Sequence, residues 1–288
     1  MTIEAELPAE MAAWPARLEG VARGRLGAHA LLLGLTLVSL FPVYWMFVTS
    51  LKPENEIFDT GLWPAHASLD NYRAVLTSIP ILRMIGNTAL VSIAAALAQV
   101  ITGVLAGYAL ARWDFPGKKI AFGAIMLTWL VPFQVTMIPN YVLFSRLGLL
   151  DNLAGLILPH AAAAFAVILL YQAIRGFPRA VFEAAAIDGA SDWRVLWEIT
   201  LPNIRASLAA LAILAFLATW NDYFWPLLLT RSIEGAVVQI GLQMFMTQEG
   251  NQWGPLMAAS SLVSLPILFL YVVLQKQVVE SFVRSGLR

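Results

Sequence analysis

Six long apolar runs alternate with polar segments along the chain, near residues 27–50, 84–111, 120–142, 153–174, 207–230 and 256–277. A helix needs about 20 apolar residues to cross a hydrocarbon core roughly 30 Å thick, so each run is long enough to be a span. The pattern predicts an all-α membrane protein with six transmembrane helices, and an even number of spans puts both termini on one side. The sharpest interruption is EAAAIDGASDWRVLWEITLP at 183–202, polar and charged between two apolar runs, which must face water at the membrane surface. Within it a short helix is predicted over 182–188, with small residues on one face and Gly189 placed to end it in a left-handed turn. Such a rigid knob suits docking into another protein's cleft.

Only 12% of the residues are charged and 59% are hydrophobic, with a mean hydropathy of +0.73, which removes the chain from the ordinary soluble class. Lysine and arginine choose the orientation, because short loops rich in them stay in the cytoplasm. With the N-terminus inside, thirteen of the eighteen basic residues fall on inside segments, leaving Lys52, Arg73, Arg83, Arg146 and Arg231 outside. The expectation is a cytoplasmic tail at 1–26 and a transmembrane domain at 27–288. That domain carries a cytoplasmic loop at 175–206, external loops at 52–83, 142–152 and 231–256, and a cytoplasmic C-terminus. Arg23 and Arg25 precede the first run as they would in a signal peptide, but the run is long and lacks a small-x-small cleavage site, so it reads as a retained helix. A net charge of zero gives no reason to expect nucleic acid, and the absence of cysteine excludes disulfides, thiolate metal sites and cysteine nucleophiles.

Pro42, Pro132, Pro139, Pro159, Pro226 and Pro266 lie within the spans, where proline kinks the axis and frees carbonyls that neighbours or a cavity must satisfy. Structural kinks and a transport path both fit them. Gly103 and Gly107 form a GxxxG step that lets another helix approach closely. The first twenty residues combine Glu4, Glu6, Glu10 and Glu19 with Pro8 and Pro15, a flexible tail or a surface helix. Gly117-Lys118-Lys119 lacks the upstream glycine and the hydroxyl of a phosphate loop, so the chain is not expected to hydrolyse ATP alone.

The spacing Glu183-Ala184-Ala185, Asp188-Gly189-Ala190, Ile199, Leu201-Pro202 resembles the cytoplasmic coupling loop of ABC importer membrane subunits. Around it, FPVYWMFVTSLKP at 41–53, GYALARWDFPGKK at 107–119, VPFQVTMIPNY at 131–141, LGLLDNLAGLILP at 147–159, WNDYFWPLLL at 220–229 and WGPLMAAS at 253–260 are similar, in order, to recurrent runs of that family's carbohydrate branch, the maltose-type and glycerol-phosphate-type permease subunits. The resemblance covers nearly the whole chain from Phe41. It implies a type I ABC importer (MetI-like) permease fold in a bacterial inner membrane, with no catalytic residue, no metal ligand and no cofactor bound by this chain; ATP and Mg would sit on partner ATPase subunits. The implied partners are a second homologous permease subunit, two ABC ATPase subunits, an external solute-binding protein and the lipid bilayer. The implied cargo is a sugar or sugar derivative.

On that resemblance, Glu183, Ala184, Ala185, Asp188, Gly189, Leu201 and Pro202 form an ATPase-coupling surface. Glu183 would meet an ATPase arginine, Asp188 and Gly189 shape the turn, with Asp188 as a local side-chain cap, and Ile199, Leu201 and Pro202 anchor the loop and start the next span. The plainer reading of Glu183 is a solvated carboxylate in a first helical turn. The substrate-path candidates are His160, Phe165, Trp220, Asn221, Asp222, Tyr223 and Gln134. Asp222 is the sharpest, because a carboxylate inside a span is costly and usually faces a bundle interior or a water-filled cavity. The run Trp220-Asn221-Asp222-Tyr223 combines aromatic faces that stack on sugar rings with groups that bond hydroxyls. In the maltose-type system the sugar contacts sit on the partner subunit, so Asn221 and Asp222 read equally as gate or packing residues. His160 stands as a path residue or a satisfied packing histidine, and Gln134 and Asn140 as polar lining or as caps of broken turns.

The segment at 231–255 occupies the place of the loop that probes the binding protein's cleft in maltose-type subunits. VVESFVRSGLR at 278–288 looks like the tail that touches the ATPase interface, with a plain basic tail as the alternative. An anionic cargo such as glycerol phosphate or a sulfo- or phospho-sugar is a second choice: Arg83 and Arg231 near external span ends favour it, and Asp222 opposes it. A self-contained secondary transporter would need ion-coupling carboxylates, and Asp222 stands nearly alone. A membrane-embedded enzyme would need an HExxH, a serine nucleophile elbow or paired carboxylates in the spans, and none is present.

Overall fold

The computed structural model describes residues 14–247 and 250–286. Most of the acidic tail read at 1–20 lies outside them, as do Gln248 and Glu249 of the external loop. The tail at 278–288 is described only as helical backbone as far as Gly286, and its side chains are outside the description.

The first helix, α1 (Trp14–Ser50), runs through Pro42 and continues upstream of the apolar stretch that begins at Gly27. After a polar segment, α2 (Asp70–Ser78) leads into α3 (Ile81–Arg112), a continuous helix. The third run is two helices, α4 (Lys118–Leu130) and α5 (Phe133–Arg146), that meet at 98°. The fourth is α6 (Leu153–His160), tightened to 3₁₀ geometry in its last turn, followed at 42° by α7 (Ala164–Arg175). Then come α8 (Arg179–Ile187), α9 (Asp192–Asn203), and α10 (Arg205–Trp220) at 78° to α9. Two short helices, α11 (Phe224–Leu229) and α12 (Val238–Gln243), precede the last long helix, α13 (Trp253–Gly286). The strand pairing among the described residues is one two-residue hairpin, β1 (Met246–Thr247) with β2 (Gly250–Asn251), so the all-α class holds.

Three expected spans are therefore not single rods. The run at 120–142 breaks at Val131-Pro132: a residue before proline is pushed out of the helical region, and Val131 sits at φ −76°, ψ 117°. The run at 153–174 breaks after His160, where Ala163 is extended at φ −111°, ψ 129°. The run at 207–230 breaks at Asn221-Asp222-Tyr223, between the end of α10 and the start of α11. Pro42 and Pro266, by contrast, lie inside continuous helices.

At the centre is α3, packed against α7 and α10, with α13 against α10, α2 and α1. The α3–α7 contact is close because both glycines of the GxxxG step face it: a Cβ on Gly103 would stand 3.1 Å from Ala166, and one on Gly107 2.9 Å from the main-chain nitrogen of Tyr171. One apolar cluster lies among α3, α7, α8 and α10, and a second among α2, α3, α12 and α13. A third gathers Phe144, Leu156, Trp225 and Leu229 from α5, α6 and α11. Along α1, Leu31 to Phe41 are exposed, as are Trp129, Leu130, Val135 and Ile138 on α4 and α5. Lipid is as apolar as these side chains, so such faces carry no penalty in a bilayer.

The polar segment after α1 is compact because of one buried cation. Lys52 is 1% exposed; its Nζ donates to the carbonyls of Asp59 (2.6 Å) and Gly61 (3.1 Å) and lies 4.5 Å from the Trp45 ring centre. Asn71 Nδ2 donates to the carbonyls of Ser50 and Lys52, closing the segment onto α2.

Candidate functional site

Two groups of candidate residues come together, one on α8 and one at the breaks of the fourth and fifth runs. α8 begins at Arg179, earlier than the expected 182–188, because Pro178 takes the N-cap in an extended conformation and leaves the following residues free to turn. Gly189 ends it with φ 72°. Ala190 N donates to Ala185 O and Gly189 N to Ala186 O, a Schellman motif that satisfies the last carbonyls. The closing bonds are main-chain, and Asp188 lies exposed beside them rather than as the side-chain cap.

The two faces of α8 differ in kind. Phe182 and Ala185 are buried in the α3–α7–α10 cluster, whereas Glu183, Ala184, Ala186 and Asp188 face out and Ile187 is 86% exposed. The inner face is tied to α3 by Arg112, whose guanidinium lies 5.1 Å from the Phe182 ring centre. Tyr108 Oη donates to Asp192 O at 3.2 Å, tying α9 to the same helix. Ile199 and Leu201 pack against this cluster, Pro202 is exposed in the last turn of α9, and the chain then bends into α10. A load on the outer face of α8 therefore reaches α3 and α10 through packed side chains.

At the second place, His160 Nε2–H donates to Asp222 Oδ2 at 3.1 Å, with the two side chains 28% and 20% exposed. Asp222 Oδ1 also lies 3.4 Å from the N–H of Trp225, in the first turn of α11, and Trp225 Nε1 donates to Gly155 O on α6 at 2.9 Å. The break in one run thus holds the break in the other. Thr88 on α3 and Thr219 on α10 line a space of about 10 Å³ beside the pair, the size of one water molecule.

The remaining candidates do not join this pair. Trp220 is 1% exposed and packs on Phe216 (5.3 Å between ring centres), so it offers no ring face to a ligand. Asn221 uses Nδ2 to cap α10 at Leu217 O, and Tyr223 lies against Phe224. Phe165 packs on Trp129, and Gln134 is exposed just after the 98° bend.

A residue the sequence reading passed over holds the other end of these runs. Asp151 has φ 55°, and its Oδ1 accepts from Ser232 N (2.9 Å) and Arg231 N (3.0 Å), while its own N–H donates to Leu229 O. The available signal was an acidic residue before Asn152 in a loop, since Asp and Asn tolerate the left-handed region best among residues with a Cβ. Bonds from the main-chain N–H groups of Ser232 and Arg231 hold this carboxyl below the usual carboxylate range. Such a group stabilises the fold above its unfolded pKa, near 3.9, and the gain is lost as pH falls through the lower folded value. Asp151→Ala is expected to lower the thermal midpoint at pH 7, with the gap to wild type closing below about pH 4. Asp151→Asn, which keeps both acceptor bonds, should lose less; thermal unfolding in detergent across that pH range measures both.

Residues 99–284 match the family described as binding-protein-dependent transport system inner membrane component. The chain is 30% identical over 259 residues to the arabinooligosaccharides transport system permease protein AraQ of Halalkalibacterium halodurans, covering 88% of this chain and 93% of that one. It is 30% identical to the diacetylchitobiose uptake system permease protein NgcG of Streptomyces coelicolor over 91% of this chain and 88% of the relative. Against the sn-glycerol-3-phosphate transport system permease protein UgpE of Yersinia pestis the identity is 30%, covering 89% and 95%. Among solved structures, a chain of a bacterial ABC transporter involved in the import of the acidic polysaccharide alginate superposes with a TM-score of 0.77 at 24% identity, covering 96% of this chain and 99% of that one, which shows the same fold. By its length of match and its fold, the chain belongs to the inner-membrane component family of binding-protein-dependent transport systems.

Proposed function

We propose that this protein is a permease subunit of an ABC importer for a sugar or sugar derivative, pairing with a second homologous permease subunit over two ATPase subunits and receiving cargo from an external solute-binding protein. The observation that carries the reading is α8: one face locked into the span core by Phe182 and Ala185, the other presenting Glu183 and Ile187 outward on a helix closed by Gly189. ATP and Mg would be held by the ATPase subunits, and this chain would contribute no catalytic group. Closure of the ATPases against α8 would push on α3 and α10 and move the broken spans, including the His160–Asp222 junction, between outward and inward access. Both termini and α8 would then lie on the cytoplasmic side, a placement that the distribution of basic residues supports.

The relatives support the cargo class: two carry oligosaccharide names and one a glycerol phosphate name. The last keeps an anionic sugar derivative as the second reading. Purified with its neighbouring-gene subunits in nanodiscs, the complex should show ATP hydrolysis stimulated by one ligand-loaded binding protein from a panel of neutral sugars and glycerol phosphate. Glu183→Lys should cut that stimulation several-fold or release the ATPases, and Glu183→Gln should cut it less. If no ATPase co-purifies and Glu183→Lys changes nothing, the coupling assignment is wrong.

A further inference from the structure

A cavity away from the intramembrane pair has a volume of about 530 Å³ and opens where the ends of α3, α4 and α7 meet the flank of α8. Each of those three helix ends brings a cation: Arg112 closes α3, Lys118 and Lys119 open α4, and Arg175 closes α7. Two carboxylates, Asp114 and Glu183, also line it.

The cations are not all spent on each other's partners. Lys118 Nζ is committed to Asp114 Oδ1 and to Trp113 O, both at 2.9 Å. Arg112 stacks on Phe182, and its Nε is buried without a hydrogen-bond partner, with Asp192 Oδ1 4.0 Å away. Arg175 donates to the Tyr171 hydroxyl at 2.9 Å, which leaves the rest of its guanidinium fork open. Lys119 is exposed at the same wall. The first turn of α4 lies here too, its N-cap Gly117 at φ 84° with no side-chain cap, so the positive end of that helix faces the same space. Phe122 and Tyr171, 4.8 Å apart between ring centres, give the cavity an aromatic wall.

A cationic rim on three helix ends beside an aromatic wall suits a ligand with a phosphate-type anion on an apolar body. We propose that this cavity binds such a phosphate ester, held by Lys119 and Arg175 at the anion and by Phe122 and Tyr171 at the apolar part. Because Phe182 and Glu183 are part of its wall, an occupant bridges α8 to α4 and α7 and stiffens the element on which the chain's partners would bear. Two sources supply this chemistry, an anionic phospholipid headgroup or a soluble organophosphate, and they are separable. The proposal does not depend on which cargo the protein carries.

The test uses the complex as purified with its neighbouring-gene subunits, reconstituted in phosphatidylcholine nanodiscs at constant ionic strength. In one arm phosphatidylglycerol replaces part of the lipid; in the other, phenyl phosphate is added to the buffer against a sulfate control. The thermal midpoint of this chain is followed, with native mass spectrometry for retained phosphate-bearing adducts. A rise of several degrees in either arm, with adducts, is the expected result; the lipid arm alone identifies a headgroup and the soluble arm alone an organophosphate. Lys119→Gln with Arg175→Gln should weaken the apparent affinity at least tenfold, and Lys119→Arg should keep it. Should the double variant fail to assemble, Lys119→Gln alone, at an exposed position, carries the comparison. No response in either arm, or an equal response in the variant, overturns the proposal.

Discussion

Gly107→Leu is expected to leave almost no assembled protein, whereas Gly103→Ala should assemble and lose only a few degrees of thermal midpoint. The difference lies in what each added side chain meets. A Cβ on Gly107 would be 2.9 Å from the main-chain nitrogen of Tyr171 and 3.3 Å from Leu170, and main chain inside a helix cannot swing away as a side-chain tip can. At Gly103 the nearest atoms, the main-chain carbonyl and Cβ of Ala166, stand farther off at 3.1 Å, and alanine adds nothing beyond that Cβ, so a separation of the helices by a few tenths of an ångström suffices. Overpacking a filled interface costs about 1–3 kcal/mol for small additions, and the further carbons of leucine force α3 and α7 apart. Association inside a bilayer has no hydrophobic drive to offset this, since lipid solvates the separated faces equally well. The damage would also spread, because Tyr108 and Arg112 follow on the same helix and hold Asp192 and Phe182. Fluorescence-detected size exclusion and a thermal series on both variants measure it. A Gly107→Leu protein with the wild-type profile would mean that α3 and α7 do not pack as described.

This contact was legible in the sequence because GxxxG states a local geometric fact, two small residues one helical turn apart. The Gly189 turn was legible for the same reason, since a left-handed residue after a short helical pattern needs no tertiary information. The breaks were harder. Hydropathy averages over a run, so Asn221-Asp222-Tyr223 was absorbed into a span at 207–230. Yet the interruption is local: Asn221 caps α10 at Leu217 O, and Asp222 stands before the Trp225 N–H in the first turn of α11. Trp220 was read as a possible sugar platform by residue type alone. Its helix face says otherwise, because Leu211, Ala215 and Thr219 at four-residue spacing are buried and Trp220 adjoins them. The pairing of His160 with Asp222 was beyond any local reading, being set by the approach of two breaks 62 positions apart. Lys52 and Asp151 were missed because charge in a loop suggests solvent, while both serve the main chain, one donating to carbonyls and the other accepting from N–H groups.

Asp222→Ala should cost little stability and most of the transport. The carboxylate bonds His160 across the two breaks and stands before the Trp225 N–H, and both side chains keep some access to solvent. Side-chain hydrogen bonds between membrane helices contribute about 0.6 kcal/mol on average and at most about 1.7, so losing this one should not unfold the chain. A second tie, Trp225 Nε1 to Gly155 O, keeps α11 on α6 in the variant. Transport asks more of the pair than folding does. If the broken spans shift against one another in each cycle, the junction must re-form each time in one geometry, and His160 without its acceptor no longer selects that geometry. Uptake driven by a ligand-loaded binding protein is therefore expected to fall at least tenfold, with the assembled complex recovered at near wild-type yield. Asp222→Asn, which keeps an acceptor for His160, should retain more. A double-mutant cycle of Asp222→Ala with His160→Ala isolates the junction: the two effects on uptake should be strongly non-additive, the double variant little worse than either single one. Additive losses would show that the two side chains act separately in the working transporter, and would leave Asp222 as a helix cap alone.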